Sequence, residues 1–422
     1  MIYFFILVSF SFVLMNILFL LRLRRNELPS PQAENKIPGV SIVVAAKNEQ
    51  DNIARLLESI KNCKYPYENF EIIIVDDRSQ DDTTEIINSL KGNHSNLKVV
   101  TAKDKPYPGK KGALALGIQY SKYDFILITD ADCVVSEKWI ETFANKFLSG
   151  FDFVFGAAPL TNNLDELNYF SEKNDNSRQR FLSRGLLRND SLKSHIQDDC
   201  HFDQREKSHS FIESKSSNAS QLTKQGNFIS KISSFENLRS SILTFTAAKL
   251  GMPYSAAARS FGFKKSSFEK VKGYANTTET LSGDDDLLLR EAVKAKMKID
   301  CIIEPDAFVY SETKKTFREY LFQKSRHTKT SLHYLFKSQL VLGLWHIANL
   351  LLMLSLFLIP LNLIYITFFI LKLLIDVIVV LSLQKKFGYS FNFFEIIFLQ
   401  PVYEVMLVIN FFAGIILPDK WK

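Results

Sequence analysis

The sequence predicts an α/β protein, a mainly parallel sheet flanked by helices, joined to about four membrane-spanning helices. Two observations carry that expectation: strand-like and helix-like stretches alternate from residue 38 to about 330, and apolar runs occupy both ends of the chain. A third bears on chemistry. Acidic pairs stand directly after two of the strand-like runs, at the end of a parallel sheet where ligands bind.

Residues 2–21 (IYFFILVSFSFVLMNILFLL) carry no charge and reach the roughly 20 residues that a bilayer core requires. Charged residues follow them where a small-residue cleavage site would stand, so a removed signal peptide is not expected. Residues 340–358, 361–383 and 393–417 form three further runs nearly free of charge, the first two broken only around Pro360 and Asn362. That break suggests a hairpin across the membrane. Arg22, Arg24 and Arg25 follow the first run, and Lys385 and Lys386 the third. Basic residues stay on the cytoplasmic side, which places residues 26–339 in the cytoplasm and the chain in the cell membrane as a multi-pass protein in contact with membrane lipids. Lys420 and Lys422 then fall outside, against the rule, unless the last run rests in the interface. The expected domains are a transmembrane helix at 2–21, a cytoplasmic catalytic domain at 38–330 and three transmembrane helices within 340–417.

The chain of 422 residues has 52 basic and 45 acidic side chains. That excess suits an anionic membrane surface or an anionic substrate. No basic stripe interleaved with aromatics is present, so nucleic acid is not an expected partner. The four cysteines, Cys63, Cys133, Cys200 and Cys301, show no metal or redox spacing and read as free thiols in a reducing compartment.

Within 38–330, Gly39–Ala46 is an apolar run suited to a strand buried on both faces. Ile53, Leu56, Leu57 and Ile60 follow at helical spacing, with Asn48 as the expected cap. Next come a strand at Glu71–Val75, a turn at 76–82, a helix through Ile86, Ile87 and Leu90, a short strand at Leu97–Val100 and a helix at Lys111–Ser121. Strands at Phe125–Thr129 and Phe153–Phe155, a helix at Phe235–Leu250 and a final strand at Lys298–Ile303 complete the pattern. Such alternation means right-handed βαβ units. Residues 161–235 are rich in Asn, Ser, Asp, Lys and Gln and read as a polar, flexible insertion. Its His195, Cys200, His201 and His209, with Asp198, Asp199 and Asp203, are too irregularly spaced for a metal site.

Four motifs carry chemistry. Asp130 and Asp132, one residue apart after a strand, can share a hard divalent cation, Mg²⁺ or Mn²⁺, with the phosphate oxygens of a nucleoside diphosphate sugar. The metal then stabilises a leaving diphosphate. Asp76 and Asp77 close the preceding strand, where a carboxylate can accept hydrogen bonds from uracil or ribose. Gly109-Lys110-Lys111-Gly112-Ala113-Leu114 opens a helix, where glycines admit a close approach and a lysine meets phosphate. Gly283-Asp284-Asp285-Asp286-Leu287 precedes another helix. Three consecutive acids exceed what a cap needs, and one can take the proton of an attacking sugar hydroxyl.

These motifs, with Val43-Val44-Ala45-Ala46-Lys47-Asn48-Glu49, resemble in order and spacing those of the family 2 glycosyltransferases. The resemblance spans roughly residues 38–330 and implies a GT-A (Rossmann-like) fold. It implies that Asp76 or Asp77 binds the base, with Glu49 and Lys110 also on the donor, and that Asp130 and Asp132 bind diphosphate and metal. The family's Glu-Asp base falls on Asp284, with glycine in place of the glutamate, or on Asp285 if the register slips by one. Gln323-Lys324-Ser325-Arg326-His327 is similar to the Q-x-x-R-W motif of processive synthases, which implies that Gln323 and Arg326 contact acceptor and diphosphate; His327 replaces the tryptophan. Phe322–Leu335 also reads as an amphipathic helix lying on the bilayer, and Ala258–Lys264 is expected near the acceptor.

The expected activity is inverting transfer of a hexosyl or N-acetylhexosaminyl group from a nucleotide sugar, UDP-linked by expectation, to a membrane-associated glycolipid or cell-envelope polysaccharide. Processive synthesis of an extruded polysaccharide is the alternative, and an inactive membrane scaffold a second. A nucleotidyltransferase would want a glycine- and arginine-rich loop that Ala45–Glu49 does not supply.

Overall fold

The computed structural model describes residues 1–24, 37–91, 95–164 and 227–417. The histidine-rich stretch between His195 and His209 lies outside the described residues, as do Arg25, Lys420 and Lys422. Seven strands form the main sheet: β1 (Val40–Ala46), β2 (Phe70–Asp76), β3 (Leu97–Thr101), β4 (Phe125–Asp130), β6 (Phe153–Gly156), β8 (Phe261–Lys264) and β9 (Ile299–Ile302). Their order is β3-β2-β1-β4-β8-β6-β9. All neighbours pair in parallel except β8, which runs antiparallel to both β4 and β6. The sheet is therefore mixed and mostly parallel. A smaller sheet joins β5 (Cys133–Val135), β10 (Val309–Glu312) and β7 (Leu160–Thr161). The strand expected to be last, at Lys298–Ile303, is thus followed by another; four residues of β10 are too few to show a period.

Helices α1 (Ile2–Arg24), α2 (Ile53–Lys61), α3 (Thr83–Lys91), α4 (Gly109–Gln119), α5 (Trp139–Leu148), α6 (Phe228–Lys249), α7 (Lys265–Lys270) and α8 (Asp286–Lys294) are followed by α9 (Phe317–Ser331), α10 (Phe336–Leu354), α11 (Tyr365–Leu383) and α12 (Phe393–Ile416). Two expectations need correction. Asn48 does not cap α2: it sits at φ 56°, and its side chain accepts from the Gln80 amide, 2.8 Å away. The helix starts instead after Asn52. Helix α6 begins within the expected insertion, capped by Asn227, which accepts from the Ser230 amide. Its buried face mixes Ser233, Ser234 and Glu236 with Ile232 and Phe235, and those polar residues hide the helical period.

The sheet separates two apolar layers, as the period of two in a strand dictates. Ile42 and Val44 of β1 pack with Leu56, Ile60 and Trp139. Val43, on the opposite face, packs with Leu114 and Ile118 of α4. The contact is close because residue 117 is glycine: a Cβ there would lie 2.5 Å from Val43 Cγ1 and 3.0 Å from Val75 Cγ2.

Among the described residues, four helices are long and apolar enough to cross a membrane: α1, α10, α11 and α12, the second and third extended by short 3₁₀ turns. Phe12 of α1 stacks on Trp345 of α10 at 5.5 Å, and Phe5 packs against Tyr365 and Phe368 of α11. The C-terminal ends of α1 and α11 lie side by side: Arg24 donates to Ser382 Oγ at 2.8 Å and Lys386 to the Leu23 carbonyl at 2.7 Å. These helices also bury charge. Lys372 and Asp376 of α11 are fully buried, and Lys372 lies 2.5 Å from Asp376 and 3.0 Å from Glu404 of α12. Arg239 of α6 closes the group on Asp376 at 2.8 Å.

Replacing Gly117 by valine is expected to force α4 off the sheet at a cost of about 1–3 kcal/mol. A lowered unfolding temperature, followed by circular dichroism, would show it.

Candidate active site

The parallel register of β1, β2 and β4 sets the site. Ala46 pairs with Asp76, and Ala45 with Asp130, so three strands end at one edge. Lys110, in the first turn of α4, projects across that edge. Its ammonium lies 2.6 Å from Asp130 and 2.8 Å from Asp284. Burial disfavours the charge on Lys110, but Asp130 and Asp284 outweigh it and raise its pKa well above the ordinary lysine value. Burial likewise opposes ionisation of Asp130, and Lys110, with Arg259 and Lys314 beyond it, brings its pKa below the usual carboxylate value.

The acidic triplet divides its labour. Asp284 alone faces Lys110. Asp285 accepts from the amides of Asp286 at 2.7 Å and Ala258 at 2.6 Å. Burial, with Asp286 and Asp284 nearby, pushes its carboxyl well above the usual range. Asp286 accepts from the Ala256 amide at 2.9 Å and the Tyr334 hydroxyl at 2.6 Å. Gly283, at φ 76°, enters this turn where a Cβ would lie 2.7 Å from Thr330 and 2.8 Å from Leu287. Close packing therefore explains the glycine where the family pattern has glutamate.

Asp77 lines the same cavity and is held by Lys105, whose ammonium lies 2.6 and 2.7 Å from its two oxygens. Asp76 does not line the cavity; its oxygens accept from the Ser79 amide and the Thr84 hydroxyl, fastening the loop after β2. Glu49 lines the cavity beside Ala45 and Ala46, and its carboxylate accepts from Asn52 at 2.8 Å. Asp130, Asp132 and Cys133 bring one ligand atom each within 4.8 Å of one another. The Cys133 thiol, fully buried, is pushed up first by burial and then by both aspartates and keeps its proton. The donors that fit a hard cation are thus the two carboxylates.

Most of these residues line one cavity of about 1200 Å³. It runs from Ala45, Asp77 and Lys110 past Asp284 and Arg259, along Gln323, Arg326 and His327 of α9, and on between α6, α10 and α12. The structure thereby brings Glu49, Asp77, Lys110, Asp130, Asp132, Asp284, Asp285, Gln323 and Arg326 onto one cavity and leaves Asp76 outside it. Sequence reading missed Lys105, the loop residues Tyr254–Ala257 and the α6 wall. It also passed over the pairs Lys372/Asp376 and Gln400/Glu404. Charged or amide residues four apart inside an apolar run were the signal that marked them.

Residues 41–206 match the family model described as Glycosyl transferase family 2. The chain is 36% identical over 105 residues to a beta-monoglucosyldiacylglycerol synthase of Trichormus variabilis, covering 25% of this chain and 22% of that protein. It is 34% identical over 103 residues to a poly-beta-1,6-N-acetyl-D-glucosamine synthase of Staphylococcus aureus, covering 24% of each. The chain thus spans about a quarter of the length of these curated relatives. Among solved structures, a mannosyltransferase of Pyrobaculum calidifontis, in complex with GDP-Man and Mn²⁺, superposes with a TM-score of 0.46 at 15% identity, over 77% of this chain and 71% of that one.

Removing the bridging cation tests the electrostatics. Lys110→Met leaves Asp130 and Asp284 facing each other unneutralised. On the expectation that Lys110 meets a donor diphosphate, its loss should weaken binding of that donor by about 10- to 100-fold, read by titration calorimetry with a panel of nucleoside diphosphates. Lys111→Met is the comparison, expected to have the smaller effect: Lys111 feels Asp284 but donates to the Thr277 and Thr280 carbonyls.

Proposed function

We propose that this chain, whose residues 41–206 are those of a family 2 glycosyltransferase, transfers a sugar with inversion from a nucleotide sugar to an acceptor at the membrane. The observation that carries the reading is the Lys110 bridge between Asp130 and Asp284 at the mouth of the sheet, in one cavity with Asp77 and Asp132.

In this reading Asp77 and Glu49 receive the nucleoside and Lys110 meets the diphosphate. Asp130 and Asp132 would hold Mg²⁺ or Mn²⁺, which supplies Lewis-acid stabilisation of the departing diphosphate. Asp284, opposite Asp130, accepts the proton of the acceptor hydroxyl as that oxygen attacks the anomeric carbon from the face away from the diphosphate. Asp285 positions rather than reacts, since both its oxygens already accept backbone amides. Gln323, Arg326 and His327, further along the cavity, orient the acceptor.

The membrane arrangement belongs to the same proposal. The paired C-terminal ends of α1 and α11, both basic, support one cytoplasmic side for them and for the catalytic part. Both ends of α12 are tied to that part. Lys231 of α6 pairs with Glu395 at 2.7 Å, and Lys329 of α9 donates to the Leu417 carbonyl at 2.5 Å. We therefore read α12 as lying in the cytoplasmic interface, with three helices crossing. This removes the conflict over Lys420 and Lys422.

Three outcomes are expected. Asp284→Asn should lower sugar transfer about 10²- to 10⁴-fold, the scale of general base catalysis, with donor binding retained; unchanged transfer excludes Asp284 as the base. Asp132→Ala should abolish the dependence of donor binding on Mn²⁺, and binding indifferent to both metal and mutation would remove the metal assignment. A cysteine introduced at Leu417 should react with a membrane-impermeant maleimide in inverted vesicles and not in intact cells.

A further inference from the structure

Resting on that reading, we infer that the acceptor is a single membrane lipid whose chain lies between α10 and α12 while its hydroxyl reaches Asp284. The cavity that holds the catalytic residues continues without interruption along one face of α10, from Gln339 through Gly343 and Ile347 to Leu350. The eleven helical steps from Gln339 to Leu350 correspond to about 16 Å at the helical rise, the length of a substantial alkyl segment. Opposite them stand Leu407, Val408 and Phe411 of α12.

Chemistry distinguishes the occupant. These walls, mostly apolar and broken on α10 only by Gln339 and His346, give a sugar chain little to bond, and burying unpaired hydroxyls is costly, whereas an alkyl chain gains from the same walls. On the α12 side Glu404 is engaged with Lys372 and Gln400, and the Asn410 amide nitrogen with Glu236 and Tyr320, while the buried Asn410 amide oxygen has no hydrogen-bond partner and is left for a single hydroxyl. The rim faces lipid, since Ile347 and Phe412 are each 55% exposed. Toward the catalytic end the wall changes character: Asn237, Ser240 and Ser241 of α6 line it, a surface suited to a polar headgroup. An apolar slot that opens on the membrane at one end and on the proposed base at the other fits an amphipathic acceptor better than a growing polymer.

Gly343 provides the test, because it lines the cavity and a Cβ built there meets nothing within 4 Å, so a side chain can start into the slot from this position. Membranes of the native cell, deleted for the gene and complemented with the full chain or a variant, would be incubated with radiolabelled nucleotide sugars and Mg²⁺ or Mn²⁺. Products would then be divided between chloroform–methanol and an ethanol-insoluble fraction. The expected result is gene-dependent label in the organic phase, reduced at least tenfold by Gly343→Trp. Leu344→Trp, which points out of the slot and is 59% exposed, should leave it unchanged. Ile347→Trp repeats the block in case the first variant folds poorly, and donor binding by each purified variant checks folding. Label confined to ethanol-insoluble polymer, or organic label indifferent to both slot variants, overturns the inference. A wild-type chain that binds no nucleotide sugar defeats the transferase reading itself.

Discussion

One ammonium group holds the two halves of the site in register. Asp130 ends a strand of the N-terminal βαβ units, whereas Asp284 opens a helix near the membrane part. Without a cation between them these carboxylates would repel at close range and one would take up a proton. Lys110 prevents this, with its ammonium within 2.8 Å of both. Its position depends in turn on α4 lying tight on the sheet, which glycine at 117 permits. A packing constraint between a helix and two strands is therefore also an electrostatic constraint on the catalytic cleft.

The proposed acceptor side is built on the apolar helices as much as on the sheet. Asp286 is bonded to Tyr334, between α9 and α10, and Arg290 of α8 donates to the His333 carbonyl at 2.9 Å. The segment carrying Asp284 is thus fastened to the point where the chain turns into α10. The proposed base and the start of α10 therefore share one hydrogen-bonded framework.

The buried charges of α6, α11 and α12 serve a related purpose. Lys372, Asp376, Glu404 and Arg239 neutralise one another two by two. An unpaired member in such surroundings would be far costlier than any of these contacts is stabilising. The group fixes how α12 sits against α11 and α6, and so fixes the shape of the cavity between them. Apolar packing alone leaves helices freer to slide.

The sequence by itself determined the sheet-forming runs, the apolar helices and the acids at the strand ends, because those signals are local: a period of two, a length without charge, a carboxylate after a strand. It also carried Lys110, Asp130 and Asp284 as separate motifs, and the family resemblance ordered them. What it could not decide was which neighbours share a hydrogen bond. Asp76 and Asp77 are adjacent and chemically identical, and only the pleat of β2 and the loop after it direct one to Ser79 and Thr84 and the other to the cavity. Asp284, Asp285 and Asp286 are separated in the same way by the start of α8. The antiparallel insertion of β8 and the tying of α12 to α6 and α9 rest on contacts between residues more than eighty positions apart, which no local pattern encodes. Tertiary structure alone decided that the acids at the strand ends and the faces of α10 and α12 line one continuous cavity.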